Sequence, residues 1–146
     1  MAKKILVIDD DPDVMDLVQT ALSSAGYEVH AAYDGKQGVE KIKKQRPDLL
    51  IMDLTMPIMD GWAVLIALKK DPNYTAIPVM IITSSKEIQN IEKAKKLGVQ
   101  SYLVKPFDPQ KMIKIARHLL DPSETAEPQD GFTGMLKGDL MHSDGL

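Results

Sequence analysis

Acidic side chains, a hydroxyl group and a lysine stand at the ends of short apolar runs. Asp9 and Asp10 follow one run, Asp53 follows another, Thr83 closes a third and Lys105 follows a fourth. If these runs are strands of one parallel sheet, the side chains meet at the edge where open α/β sheets bind ligands. Clustered carboxylates raise one another's pKa, and a cation such as Mg²⁺ relieves that conflict. With a lysine and a hydroxyl nearby, the set suits phosphoryl transfer to a carboxylate nucleophile.

Each of these residues has a simpler explanation when it is taken alone. Asp9 or Asp10 could be a turn residue, Thr83 an ordinary strand residue, and Lys105 a surface lysine. Asp53 is harder to explain as a turn, because it follows the apolar run LLIM directly. The joint placement of all five at strand ends therefore carries the hypothesis.

The elements that must position these residues follow from hydrophobic periodicity. Short β-rich runs predict five strands, at residues 5–8, 28–32, 49–52, 79–83 and 101–104. Three of them (ILVI, LLIM and VMIIT) are apolar almost throughout, as is typical of strands buried in a parallel sheet. Helical spacing appears between them, as in the apolar stripes Val14, Leu17, Val18, Ala21, Leu22, Ala25 and Ile88, Ile91, Ala94, Leu97. Five βα repeats predict an α/β fold with a doubly wound parallel sheet, and the flavodoxin-like strand order 2-1-3-4-5 is expected.

Helix boundaries are marked by residues that cap helices. Asp11 and Asp108 each precede a proline, which predicts a capping carboxylate at the start of a helix. Ser84 and Glu87 have the spacing of a capping box. Gly26 and Gly98 stand where helices are expected to end.

Composition limits the classes of function. The chain has 146 residues, a net charge of −3 and no cysteine, which excludes disulfides and thiolate metal sites. Its acidity is not typical of a nucleic-acid binder, so no direct contact with nucleic acid is expected. No apolar run approaches the roughly 20 residues that span a bilayer, and no signal peptide is apparent, so no membrane contact and a cytoplasmic location are expected.

Other known sites are absent from the sequence. It contains neither a Walker-type phosphate loop nor a dinucleotide-binding glycine motif. The aspartates after the first run would repel a flavin phosphate. The histidines His30, His118 and His142 do not have the spacing of metal ligands.

Residues 1–120 are predicted to form one domain, and residues 121–146 an acidic linker with a short tail. The linker DPSETAEPQDG is rich in proline and acidic residues. Apolar residues return from Phe132 onward. This last stretch could be a docking segment, a disordered tail or the beginning of a truncated second module.

The blocks ILVIDDDP, LLIMDLTMPIMDGW, VMIITSS and SYLVKPF resemble the signature blocks of response regulator receiver domains, over about residues 3–120. The resemblance implies that Asp53 accepts a phosphoryl group. It also implies Mg²⁺, or Mn²⁺ in its place, held by Asp9, Asp10, Asp53 and the backbone carbonyl of Thr55, with Asp10 the more direct ligand.

The same resemblance assigns the remaining site residues. Thr83 and Lys105 would contact the phosphoryl group, and Lys105–Pro106 would be a cis peptide. Tyr102 would be the aromatic switch residue, which turns inward when Thr83 moves. Thr55 and Ser85 occupy positions that tune the access of water to the phosphoryl group.

The resemblance further implies a signalling role. A sensor histidine kinase or phosphotransfer protein would donate the phosphoryl group. An effector protein would read the face formed by the fourth helix, fifth strand and fifth helix. The chain would be a monomer or a phosphorylation-dependent dimer and would not be a turnover enzyme. The alternatives are a Mg²⁺-dependent phosphohydrolase with Asp53 as nucleophile, and a degenerate receiver that binds partners without phosphorylation.

Overall fold

The computed structural model of the chain describes residues 2–121. The linker and tail expected at residues 121–146 lie, from residue 122 onward, outside the described residues. Strands and helices alternate through the described part. The strands are β1 (Lys4–Ile8), β2 (Glu28–Ala32), β3 (Leu49–Met52), β4 (Val79–Thr83) and β5 (Ser101–Val104). The helices are α1 (Pro12–Ser24), α2 (Gly35–Gln45), α3 (Gly61–Lys70), α4 (Ile88–Lys96) and α5 (Pro109–Leu120).

The strands form one parallel sheet in the order β2-β1-β3-β4-β5, which confirms the predicted fold class and topology. In the register of this sheet, Ile8 at the end of β1 pairs with Ala32 on one side and Met52 on the other. The carboxyl ends of β1 and β3 therefore lie side by side, and the residues that follow them meet at one edge.

The centre of the sheet is buried on both faces because β1, β3 and β4 are apolar at successive positions. Ile5 and Val7 of β1 face one apolar cluster, which contains the buried faces of α1 and α5. Leu6 and Ile8 face the opposite cluster, which contains the buried residues of α2, α3 and α4. This alternation follows from the two-residue period of a strand and anchors each strand end from both sides.

Several predicted boundaries are confirmed. Asp11 caps α1, with its side chain accepting from the Asp13 amide, and Asp108 caps α5 in the same manner. Gly26 and Gly98 follow the ends of α1 and α4 with φ of 98° and 83°. At these angles a residue with a Cβ atom is strained, which explains glycine there.

Two predictions at the helices need correction. The predicted capping box starting at Ser84 is wrong, since α4 begins at Ile88 and Glu87 is its N-cap residue without a side-chain cap. The predicted apolar stripes are also imperfect. In α1, Leu17 is 44% exposed while Met15 is buried, and in α4, Ile88 is 57% exposed. Among the described residues, no helix combines the length and apolar character needed to cross a membrane.

Candidate functional site

The acidic residues of the site are positioned by the backbone hydrogen bonds that continue the sheet past β1 and β3. The amide of Asp9 donates to the Ala32 carbonyl at 3.1 Å, and the amide of Asp53 donates to the Ile8 carbonyl at 3.0 Å. Both carboxylates are therefore held by the core of the sheet and not by a free loop.

Three carboxylates meet at this edge. One oxygen from each of Asp9, Asp10 and Asp53 lies within 4.8 Å of the others. Asp9 is fully buried, Asp53 is nearly so and Asp10 is exposed. The donor set is entirely oxygen and open to solvent on the Asp10 side, which fits a hard divalent cation that keeps several waters.

Lys105 lies between the two buried carboxylates. Its ammonium Nζ is 2.9 Å from Oδ2 of Asp9 and 2.9 Å from Oδ2 of Asp53. The Lys105 amide donates to the Thr83 carbonyl at 2.8 Å, which anchors the lysine to the end of β4. The peptide bond from Lys105 to Pro106 is cis.

Burial and ion pairing act in opposite directions on these groups. Burial raises the pKa of Asp9, although hydrogen bonds from the Asp11 amide and from Lys105 oppose the rise. For Lys105, burial lowers the pKa, but the hydrogen bonds to Asp53 and Asp9 outweigh it and leave the pKa raised. Lys105 is therefore a permanent cation at neutral pH, placed where a phosphoryl group on Asp53 would gather negative charge.

A close backbone approach fixes the loop after Asp53. The Gly61 amide donates to the Leu54 carbonyl at 2.9 Å. A Cβ atom on Gly61 would lie 2.5 Å from the Asp53 carbonyl oxygen, so only glycine fits there. The Asp60 side chain then caps α3 by accepting from the Ala63 amide at 2.9 Å. These contacts hold the start of α3 against the residues that follow β3.

The same loop contains a strained residue. Ile58 has φ of 70°, and the Met59 amide donates to the Pro57 carbonyl across it at 2.7 Å. A positive φ spanned by such a bond defines the rarer form of γ-turn, which is strained for a residue with a Cβ atom. Ile58 is also 79% exposed, so burial does not offset its strain.

An open cleft extends from Asp53 toward α4. It is lined by Asp53, Thr55, Thr83 and residues 84–87. The Thr55 amide donates to Oδ1 of Asp53 at 3.3 Å, and Thr83 is buried at the end of β4. The cleft therefore joins the second carboxylate oxygen of Asp53 to the loop that precedes α4.

Tyr102 approaches this loop from β5. Its ring is fully buried, and its hydroxyl donates to the Ser85 carbonyl at 2.9 Å. Burial raises the pKa of Tyr102, so the hydroxyl stays protonated and remains a donor. The ring thus has the inward orientation.

The structure brings Asp9, Asp10, Asp53 and Lys105 into one cluster. Thr55, Thr83 and Ser85 line the adjoining cleft, and Tyr102 is bonded to Ser85. The roles of these residues as metal ligands, phosphoacceptor and switch stay predictions. Two contacts near the site were not predicted. Asn90 Nδ2 donates to Ser85 Oγ at 2.9 Å, and Lys93 Nζ lies 4.4 Å from the ring centroid of Trp62. Neither pair has a sequence signal, because each depends on how α4 packs.

Comparison with known proteins agrees with this geometry. The family model for the response regulator receiver domain matches residues 5–117. Among curated relatives, the DNA-binding dual master transcriptional regulator RpaA of Synechocystis is 40% identical over 117 residues, which is 80% of this chain and 48% of that protein. The chain spans about half the length of the curated relatives it matches.

Solved structures give the same likeness in three dimensions. The chemotaxis response regulator CheY4 of Vibrio cholerae superimposes with a TM-score of 0.77 at 32% identity, covering 82% of this chain and 100% of that chain. The phosphorylated cyanobacterial phytochrome response regulator RcpA gives a TM-score of 0.76 at 28% identity, covering 84% of this chain and 96% of that chain.

Proposed function

The chain belongs to the response regulator receiver domain family of two-component systems, and on this premise we propose that Asp53 accepts a phosphoryl group in a Mg²⁺-dependent reaction. One observation carries the proposal. The Asp53 carboxylate is nearly buried, is clustered with Asp9 and Asp10, and is paired with Lys105 Nζ at 2.9 Å. A buried carboxylate with a fixed cation beside it suits a nucleophile whose product carries extra negative charge.

Each residue of the site has a part in the proposed reaction. An Asp53 oxygen attacks the phosphorus of a phosphohistidine, a P–O bond forms, and the P–N bond to the donor imidazole breaks. Lys105 neutralises the added charge, and Thr83 donates its hydroxyl to a phosphoryl oxygen. Asp9, Asp10, Asp53 and the Thr55 carbonyl would hold Mg²⁺, which supplies positive charge to the transferring group.

The proposed output is a shift between two conformations of the face formed by α4, β5 and α5. Contacts of the phosphoryl group to Thr83 and Lys105 favour one arrangement of the residue 84–87 loop, to which Tyr102 is bonded. An effector protein would then read that face. We propose a monomer or a phosphorylation-dependent dimer as the acting form, and the cytoplasm as its location.

Receiver domains are signalling modules whose partners are histidine kinases, and we propose a sensor histidine kinase or a phosphotransfer protein as the donor here. The curated relatives are transcriptional regulators, and the matched segments cover about half of their length. We propose no direct contact between residues 2–121 and nucleic acid.

The experiment is incubation with acetyl phosphate and Mg²⁺, followed by intact-mass measurement. We expect the wild-type protein to gain the mass of one phosphoryl group, and Asp53→Asn to gain none. EDTA should prevent the gain in the wild-type protein. The matched control is Asp16→Asn, which alters an exposed aspartate on α1 and should leave the gain intact.

Two results would overturn the proposal. One is a wild-type protein that gains no phosphoryl mass, and the other is an equal gain in Asp53→Asn. Rapid turnover of a general phosphomonoester, abolished in Asp53→Asn, would instead identify the phosphohydrolase alternative.

A further inference from the structure

Ser85 is held by three hydrogen bonds in the described part of the chain. Its hydroxyl oxygen accepts from Asn90 Nδ2 at 2.9 Å and from the Glu87 amide at 3.3 Å. Its carbonyl accepts from the Tyr102 hydroxyl at 2.9 Å. Asn90 lies in the first turn of α4, so this helix fixes the orientation of the Ser85 side chain.

The two hydrogen bonds to Ser85 Oγ occupy both acceptor sites of this hydroxyl. A serine hydroxyl has two acceptor lone pairs and one donor hydrogen. Here the two lone pairs of Ser85 Oγ receive the donors of Asn90 and Glu87. Ser85 can therefore donate a hydrogen bond but has no lone pair left for a water molecule.

Ser85 is placed where its acceptor sites could affect the hydrolysis of a phosphoryl group on Asp53. Ser85 lines the same cleft as Asp53 and Thr83. A phosphoryl group on Asp53 is lost when water attacks the phosphorus. A P–O bond forms to the water oxygen, the P–O bond to Asp53 breaks, and phosphate and a proton leave. An acceptor beside the phosphorus would orient the attacking water and speed this step.

We propose that Asn90 is a positioning residue that prolongs the life of the phosphoryl group on Asp53, because its amide occupies an acceptor of Ser85 that would otherwise orient the attacking water. The inference rests on the proposed phosphorylation of Asp53. It adds a residue outside the acidic cluster and assigns it an effect on hydrolysis alone, with phosphoryl uptake unchanged.

The test measures how fast the phosphorylated mass disappears after acetyl phosphate is removed, at constant Mg²⁺. Asn90→Ala frees a lone pair of Ser85, so the rate constant of loss should rise by about threefold to tenfold, the effect of one hydrogen bond. Asn90→Leu keeps the size of the side chain without the donor and should give the same increase. Glu92→Ala, which alters an exposed residue further along α4, should leave the rate unchanged.

A second pair of variants separates positioning from loosening of α4. In Ser85→Ala the acceptor is gone, so Asn90→Ala should add no acceleration in that background. Equal acceleration with and without the Ser85 hydroxyl, or no acceleration in Asn90→Ala, would overturn the inference. Failure of the wild-type protein to gain phosphoryl mass would instead overturn the proposed function, so the two failures are distinguishable.

Discussion

At the scale of single residues, the acidic site places a fully buried carboxylate beside a lysine that does not fully compensate its burial. The pKa of Asp9 is raised by burial despite the hydrogen bonds it accepts from the Asp11 amide and Lys105. The folded state therefore favours the neutral acid at this position, relative to the unfolded chain. The buried negative charge of Asp9 therefore lowers the stability of the metal-free protein, and a bound cation would relieve that cost.

This balance predicts the effect of Asp9→Asn, which resembles the neutral acid. Because the folded pKa lies above the unfolded one, the folded state binds more protons between the two values, and stability falls as pH rises through that window. At pH 7 in EDTA, Asp9→Asn should therefore melt at a higher temperature than the wild-type protein. The difference should shrink as the pH is lowered through the same window.

Thermal melts followed by circular dichroism, at several pH values, measure this effect. The same variant should lose phosphoryl uptake, because it removes a proposed ligand of Mg²⁺. A lower melting temperature for Asp9→Asn in EDTA at pH 7 would show that the pairing with Lys105 outweighs burial.

At the scale of elements, the loop between β3 and α3 carries a local strain that substitution can release. Ile58 is exposed at φ of 70°, and a sparsely populated backbone conformation costs about 1–3 kcal/mol. Ile58→Gly should raise the free energy of unfolding by about 1 kcal/mol, since glycine lacks a Cβ atom and adopts positive φ without strain. Urea denaturation measures the change.

The matched control for that substitution is Ile66→Gly. Ile66 is 40% exposed but lies in the middle of α3, where glycine is a poor helix former. It should not stabilise the protein. A gain in both variants would mean that lower surface hydrophobicity, and not the backbone of Ile58, is responsible.

Elements that depend on a short run of sequence could be predicted, whereas boundaries that depend on contacts of a loop could not. Four strands have the predicted bounds, and β1 differs only by starting at Lys4, whose backbone pairs beside Glu28. The signal is strongest for β3 and β4, which are almost entirely apolar runs. The start of α4 could not be predicted from the Ser84 and Glu87 spacing. There the Ser85 hydroxyl accepts the Glu87 amide and the helix begins later, at Ile88.

The contacts of the site also fall into a group that could be predicted and a group that could not. Asp9, Asp53 and Lys105 could be placed together from strand order alone, because each follows a strand of the sheet. The bond between Asn90 and Ser85 could not, because it depends on the conformation of a loop and on the rotation of α4. Contacts made by a loop with the helix that follows it have no periodic signal in the sequence.

At the scale of the whole molecule, metal binding should be measurable as stability. A cation that binds only the folded protein stabilises it by about 1.4 kcal/mol when its free concentration is ten times Kd. For a domain of this size, the melting temperature should rise by roughly 5 °C. Melts with increasing Mg²⁺ test this expectation.

Asp10→Asn is the informative variant for that titration. Asp10 is exposed, so its replacement should leave the melting temperature in EDTA nearly unchanged while abolishing the response to Mg²⁺. Asp16→Asn should respond as the wild-type protein does. An equal Mg²⁺ response in Asp10→Asn would place the cation elsewhere.

The ion pair between Lys105 and Asp9 joins residues 96 positions apart in the chain. During synthesis on the ribosome, Asp9 and Asp53 emerge long before the lysine that pairs with them. A nascent chain lacking β5 would present these carboxylates without their cation. If Asp53 accepts a phosphoryl group as proposed, that reactivity therefore requires the last strand of the sheet, and phosphoryl uptake would report that β5 has paired.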